Sequence, residues 1–371
     1  MSRTGRELRS TLEADGTLRI TLDTVEVPEP GEGELLVQVE AAPVNPSDLG
    51  LLLGPADMDT LKAGGTDGAP VLTAQVPEKI LPALSGRIGK SMPVGNEGAG
   101  VVIAAGAGQE EMVGKRVAMI GRAMYADFRL MRPESCIVLP EGASPADGAA
   151  LFVNPLTALG FVETMKAEGH KAMVHVPAAS NLGQMLVKIC QADGIGLVNI
   201  VRSEEQVDLL RGLGARHVVN SSADSFRADL TEAIAATGAT LAFDAIGGGE
   251  TTSTILNAME AVAARDMDEY SRYGSDVPKQ VYIYGSLSTE PTVLRRGFGF
   301  TWNVGGWLLF NFLRGAEPAV AQRMRERVAA EMTTTFASHY TATISLEEAL
   351  SPQIAAAYQK KATGEKYLIR P

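Results

Sequence analysis

From Ala172 onward the chain alternates between two rhythms, and that alternation restricts the fold more than any other feature. "AMVHV" reads as a strand, "LGQMLVKICQADG" as a helix, "GLVNIV" as a strand and "SEEQVDLLRGLGA" as a helix. "HVVN", "FRADLTEAIAATG", "TLAFDAI" and "TTSTILNAMEAVAA" continue the alternation, and the strand "KQVYIYGSL" closes it. Strands that alternate with helices imply a doubly wound parallel sheet. Its strands are buried on both faces and read as continuous apolar runs, as "GLVNIV" does. The last strand is expected at a sheet edge. Pairing it across a twofold would hide the edge and give a homodimer.

The first half has a different rhythm. "LRITLDTVEVP", "GELLVQVEAAPVNP", "GNEGAGVVIAAGAG" and "VGKRVAMIG" are runs with β-branched residues broken by Pro and Gly, which predicts a small irregular β-barrel. Leu53 to Met92 interrupts it with a Gly-, Ala- and Pro-rich stretch lacking a firm period. We expect a long excursion there, with one helix near Lys79 to Leu84, of a kind that often carries function. From Thr334 the alternation has stopped, and the tail is expected to return to the first domain. At 371 residues the chain exceeds a typical single core. The division is placed at 1–150 with 335–371 for one domain and 151–334 for the other.

A net charge of −11 argues against a nucleic-acid partner. Cys136 and Cys190, the only cysteines, cannot build a four-cysteine zinc site or a disulfide framework, and a reducing, cytoplasmic compartment fits. The N-terminal "MSRTGRELRSTLEADG" lacks the apolar core of a secretory signal. No stretch reads as a membrane span; "GGWLLFNFL", Gly305 to Leu313, is too short and is expected to cover a pocket or an interface.

Between the first alternating strand and its helix lies "AASNLG", where a dinucleotide fold shows G-x-G-x-x-G. Ligands of such folds sit beyond the carboxyl ends of the strands, and the following helix aims its first N–H groups at a phosphate. Ala178, Ala179 and Ser180 keep the turn slim, Ser180 and Asn181 add side-chain donors, and Gly183 keeps the helix–strand contact. Ala179, Ser180, Asn181, Leu182 and Gly183 are therefore the candidate phosphate turn, although small residues in such a turn also serve structure alone. The second strand ends in Arg202-Ser203, about 20 residues on, where an acid selects free ribose hydroxyls and an arginine a 2′-phosphate. Arg202 offers a planar fork of donors suited to phosphate, so the expected cofactor is NADPH.

These segments resemble a medium-chain dehydrogenase/reductase, of the zinc-free NADPH:quinone oxidoreductase and enoyl-thioester reductase branches. The resemblance is carried by "AAPVNPSDLG" (41–50), "PVGNEGAGVVIAAG" (93–106), "NPLTALGFVETM" (154–165), "AFDAIGGG" (242–249), "VYIYGSL" (281–287) and "GEKYLI" (364–369). "AASNLGQ" with "NIVR" is most similar to the enoyl-thioester reductases. The resemblance implies a GroES-like β-rich catalytic domain completed by the tail, a Rossmann domain, and an active site between them. Zinc-containing relatives place a cysteine near Asn45 and a histidine at Asn96. Two asparagines stand there instead, which implies chemistry without a metal.

On that resemblance, Asn45 and Asn154 are candidates to line the nicotinamide cleft and polarise an acceptor oxygen, with Thr157 as a nicotinamide contact. Tyr125 falls where quinone reductases carry G-x-Y-A-E-Y and could meet the acceptor or fill the barrel mouth. Gly247, Tyr284, Gly285 and Ser286 are expected to form the other cofactor wall, because glycine at a strand end lets a flat ring approach. Lys366 is a candidate for a phosphate or ribose. The aromatics of "GFGFTWNVGGWLLF" are expected to wall an apolar pocket or a subunit interface. The expected activity is hydride transfer from NADPH to a quinone or another activated carbonyl or alkene. Enoyl-thioester reduction is the sister reading, although the tyrosine those enzymes place shortly after N-P-S-D is missing. An NADPH-binding redox sensor or structural protein with little turnover is an alternative of another class. So is a methyltransferase, for which Arg202 would be idle.

Overall fold

The computed structural model describes residues 3–66, 68–360 and 365–371. The chain divides into two compact units: 1–153 with 325–371, and 154–324.

The second unit carries a six-stranded parallel sheet in the order His217–Asn220, Gly196–Val201, Ala172–Val176, Leu241–Asp244, Lys279–Ile283, Trp302–Gly306. The order reverses at Ala172–Val176, whose neighbours are the second strand on one side and the fourth on the other. This reversal is the switch point at which doubly wound sheets open a ligand crevice. Every residue of Ala172–Val176 and Leu241–Asp244 is buried, because helices cover both faces. Val174, Ile200, Ala242, Ile255, Leu256 and Phe298 belong to the core so formed. Each large apolar side chain buried there contributes about 2 kcal/mol.

One expectation is corrected here. Lys279–Ile283 is not the sheet edge, because Trp302–Gly306 pairs parallel with it from Lys279↔Trp302 to Ile283↔Gly306. Two glycines in five residues and a long preceding loop hide this strand from a periodicity reading. The argument for a homodimer through "KQVYIYGSL" falls with that edge.

The first unit is built on two sheets. One is antiparallel, in the order Asp57–Thr66, Ala69–Gln75, Thr17–Val27, Arg3–Leu12, Ser91–Pro93. The other runs Cys136–Val138, Arg116–Ile120, Glu97–Ala105, Leu35–Pro43, Tyr367–Ile369, Ala342–Ile344, with Phe128–Met131 also on Leu35–Pro43. Tyr367–Ile369 pairs antiparallel with Leu35–Pro43, so the C-terminal segment completes this unit. Gly364, which opens the "GEKYLI" segment, lies outside the described residues. Leu8, Ile20, Leu35, Val37, Leu72 and Val117 fill the interior between the sheets.

The excursion at 53–92 has the expected helix near Lys79 to Leu84, and its first part is corrected. It is mainly a β-hairpin, Asp57–Thr66 against Ala69–Gln75, which extends the first sheet. A 3-10 helix, Glu78–Arg87, follows it and contains Pro82. The hairpin's outer strand is largely solvent-exposed and rich in small residues, so its apolar alternation is faint. A third correction concerns Pro145–Ala167, which is apolar and long enough to cross a membrane by composition. It is 83% buried inside the protein, as a core helix is.

Candidate functional site

In the second unit, the turn after Ala172–Val176 feeds the helix Asn181–Asp193. Ser180 is the N-cap, and its Oγ accepts from the N–H of Gly183 at 3.1 Å. The cap leaves the Ser180 hydroxyl proton free to donate outward, next to the unsatisfied N–H groups of the first turn. Gly183 is the one glycine the turn needs: a Cβ there would stand 2.1 Å from the carbonyl oxygen of Ala178. Ala179 and Leu182 are buried, so their side chains shape the turn from inside. Asn181 opens the helix.

At the tip of the second strand Arg202 is exposed, and its guanidinium makes no hydrogen bond or ion pair among the described residues. Its backbone is held at both ends: N–H to Gln206 Oε1 at 3.0 Å, and C=O from Ser222 Oγ at 2.9 Å. Ser203 is an N-cap, its Oγ accepting from Gln206 N–H. Glu204 is turned away to Asn220 Nδ2, 2.6 Å. The fixed backbone presents a free cation where an acid would stand in an NADH-selective fold.

In the next loops Gly247, Tyr284, Gly285 and Ser286 are held by contacts of their own. Gly247 has φ +73, and a Cβ on it would lie 2.6 Å from the carbonyl oxygen of Gly285. A Cβ on Gly285 would meet Ala245 at 2.9 Å. Leu287 N–H and Ser288 N–H donate to the carbonyls of Ala245 and Ile246. These two glycines are required by one loop lying against the other. Tyr284 is turned inward: its hydroxyl meets His175 Nε2 at 2.7 Å, and its ring packs edge-on to Phe161. His175 is fully buried, and burial pushes its imidazole down to about 3, so it is neutral. Ser286 is exposed beyond this wall.

Sequence reasoning missed Asp244, the residue that builds the loop. Its Oδ1 accepts from Ile246 N–H (2.7 Å) and Gly247 N–H (3.2 Å), and Oδ2 from Thr252 Oγ1 (2.9 Å). Its signal was an acid standing directly at a strand end. On the helix Val153–Ala167, Asn154 is half-buried and Thr157 nearly buried. Their spacing of three puts them on one helix face. The tryptophans are packed inside this unit. Trp307 Nε1 donates to Thr164 Oγ1 (3.1 Å) and its ring meets Phe161, while Trp302 stands edge-on to Phe298.

In the first unit, Asn45 caps the helix Pro46–Leu52. Asp48 closes the cap by accepting Asn45 N–H on Oδ2 (2.8 Å), and its Oδ1 accepts from Asn96 N–H (2.9 Å). Asn45 is 2% exposed, and its Nδ2 donates to Glu97 Oε1 at 2.7 Å, which leaves Oδ1 without a partner. Glu97 Oε2 accepts from the N–H groups of Phe152 and Val153, each 2.9 Å. Burial raises the Glu97 carboxyl above its usual range, and the nearby Lys366 charge pulls it back. Asp48 and Glu97 were both missed; the S/T/N-x-x-D/E cap spacing was the signal for the first.

Two further expectations are corrected here. Tyr125 is fully buried; its hydroxyl donates to the Pro43 carbonyl (3.1 Å) and lies against Asp48. It therefore supports the cap from beneath and is closed to an acceptor. Lys366 is buried within this unit, its Nζ unpartnered and facing the charges of Glu97 and Asp48, so it does not reach outward to a phosphate or ribose. Asp48 also lines a cavity of about 140 Å³ that includes Ser47, Asn96 and Arg122.

The profile of the zinc-binding dehydrogenase family matches residues 182–264. A mitochondrial enoyl-[acyl-carrier-protein] reductase of Caenorhabditis elegans is 28% identical over 208 residues, 54% of this chain and 52% of that protein. A candidate quinone oxidoreductase of Leishmania amazonensis is 29% identical over 269 residues, 71% of this chain and 64% of that protein. The matched region thus spans between half and two thirds of these curated relatives. The solved structure of a candidate NADPH:quinone reductase from Mesorhizobium loti superposes with a TM-score of 0.73 at 25% identity, covering 99% of this chain and 98% of that one. The zinc in the profile's name does not fit this site. Amides stand at Asn45 and Asn96, and Glu97 is already held by three donors. The antiparallel β-rich unit, the parallel sheet with its reversed strand order and these matches together place the chain in the medium-chain dehydrogenase/reductase superfamily.

Proposed function

We propose that the protein is an NADPH-dependent oxidoreductase that reduces a quinone, or another activated carbonyl or alkene, without a metal. The observation that carries this reading is Arg202: a free guanidinium on a fixed backbone at the tip of the second strand. It suits a 2′-phosphate, and it would have no task beside an adenosyl ligand lacking one. The Mesorhizobium loti and Leishmania amazonensis proteins, named for quinone reduction, support the acceptor class.

When bound, the nicotinamide supplies a hydride to the acceptor, and one proton completes the reduction. The helix N-terminus after Ser180 would hold the pyrophosphate, with the Ser180 hydroxyl as an added donor. Arg202 would grip the 2′-phosphate in bidentate fashion. Asn154 and Thr157 would face the nicotinamide from one side of their helix. Asn45 is held by Glu97, which fixes its orientation rather than freeing it to polarise an acceptor.

The test is cofactor oxidation by the full chain, followed optically, with NADPH or NADH and with a quinone or a crotonyl thioester. Turnover of a quinone with NADPH favoured is expected. The Arg202→Ala protein should lose about 10- to 100-fold in NADPH affinity and nothing in NADH affinity, as removal of a charge-assisted bidentate contact predicts. Thioester turnover alone would replace this reading with enoyl reduction. Saturable NADPH binding without turnover of either would replace it with a sensor role.

A further inference from the structure

The first unit holds the cavity of about 140 Å³ beside Asp48. Its lining brings together three donor side chains, Ser47, Asn96 and Arg122, over apolar residues that include Met92 and Val94. Asn96 Nδ2 and Ser47 Oγ lie 3.3 Å apart, on two different segments. Arg122 is exposed and makes no hydrogen bond or ion pair among the described residues. Other arginines of this unit do: Arg6 meets Asp127, Arg9 meets Glu7, Arg19 meets Glu13 and Arg116 meets Glu40.

The backbone beside Arg122 is built for this placement. Gly121 N–H donates to the Asn96 carbonyl, Met124 N–H to Gly95 and Tyr125 N–H to Val94. This ladder lays the turn 121–124 directly along the cavity wall. Ala123, next to Arg122, has φ +64, the one left-handed residue other than glycine among the described residues. Such a residue is strained, and it persists where surrounding structure holds a side chain in a required place. The acid at the cavity, Asp48, is 1% exposed with both oxygens engaged by backbone N–H groups. It therefore opposes an anion only weakly.

Resting on the oxidoreductase reading above, we propose that this cavity selects acceptors carrying an anionic substituent, a carboxylate or sulfonate, which Arg122 binds with Ser47 and Asn96 as neutral donors. A volume of about 140 Å³ matches the ~150 Å³ cavities that accept a benzene-sized guest. The cavity thus takes a substituted ring edge or an acid-bearing side arm, not a whole acceptor. Arg122 is a specificity residue here and takes no part in bond making.

The experiment has a binding arm and a turnover arm, both on the full chain. Binding of naphthalene-2-sulfonate, which cannot be reduced, is compared with binding of neutral 2-naphthalenemethanol by calorimetry. Turnover of 1,4-naphthoquinone-2-sulfonate is compared with that of 2-methyl-1,4-naphthoquinone, with NADPH. In the Arg122→Ala protein the sulfonate should bind about tenfold or more weakly, as loss of a hydrogen-bonded charge predicts. The sulfonated quinone's KM should rise by the same factor, and the neutral compounds and the KM for NADPH should not move. Arg122→Lys should restore part of the loss. Unchanged sulfonate binding overturns the proposal, even if both quinones are reduced. A parallel rise in the KM for NADPH also overturns it, because the cation then serves the cofactor. Arg122-dependent sulfonate binding with no turnover of any acceptor leaves the anion pocket standing and removes the oxidoreductase reading.

Discussion

Asp48→Asn is expected to change stability with a sign that depends on pH. Asp48 is wholly buried, and burial, with the neighbouring charge of Glu97, pushes its carboxyl from 3.8 up to about 7. Tyr125 and Lys366 face the same carboxyl, and Lys366 partly compensates it. A folded-state value raised above the unfolded one means that the group favours folding at low pH. That contribution is lost as pH rises, between about 4 and about 7. At 1.36 kcal/mol for each unit, the loss reaches at most about 4 kcal/mol above pH 7. Asparagine removes this dependence. It also replaces one of two carboxylate oxygens, leaving either Asn45 N–H or Asn96 N–H facing an amide NH₂, which costs about 1–3 kcal/mol at any pH. At pH 5 the parent has already lost about 1.6 kcal/mol, so the variant should lie within about 1.5 kcal/mol of it, and at pH 8 the variant should be the more stable by about 1–3 kcal/mol. Tryptophan fluorescence is the wrong probe, since Trp302 and Trp307 both lie in the other unit. Hydrogen exchange of peptides covering 43–53 and 94–100, at graded urea and at pH 5, 6, 7 and 8, reads the first unit directly, after correction for the intrinsic pH dependence of exchange. Parallel pH profiles for parent and variant would refute the buried, partly protonated Asp48.

Two further substitutions separate support from chemistry. Gly183→Ala places a methyl group 2.1 Å from the Ala178 carbonyl, so the turn must open. We expect a loss of about 1–3 kcal/mol in stability, with weaker binding of NADPH and NADH alike, read by thermal unfolding and calorimetric titration. Tyr125→Phe removes a buried hydrogen bond to Pro43 and should cost about 1 kcal/mol of stability while leaving kcat with a quinone unchanged. A large fall in kcat at unchanged stability would return Tyr125 to the reaction.

The strand–helix series from Ala172 to Ile283 was legible because its central strands are buried on both faces and read as apolar runs between helices. Trp302–Gly306 and the hairpin 57–75 were not, for a shared reason. Trp302–Gly306 and the hairpin's outer strand, Asp57–Thr66, are edge strands, where one side has no partner and small or polar residues are tolerated. Arg202 and the turn at Ser180 were legible because their position in the βαβ unit, not their identity alone, carries the chemistry. For Tyr125 the sequence left both an acceptor contact and a place in the barrel mouth open, and its burial decides for packing; Lys366 was misplaced because a lysine ammonium reads as surface chemistry, whereas here burial and two inward-facing carboxylates hold it inside.

The glycines show most clearly where a sequence motif and its physical cause separate. The G-x-G-x-x-G pattern would put three glycines in "AASNLG", yet the turn needs only Gly183, where a Cβ would collide with backbone. The glycines after Leu241–Asp244 read as room for a cofactor, and the contact between two loops already requires Gly247 and Gly285. In both units buried carboxylates instead gather backbone N–H groups: Asp244 after its strand, Asp48 at its helix cap and Glu97 beside it. A carboxylate so placed fixes a loop to within a hydrogen bond's tolerance without using an exposed side chain. Ser180, Arg202 and Arg122 are thereby left free to face a ligand, and those three residues are where substitution should alter binding without unfolding the protein.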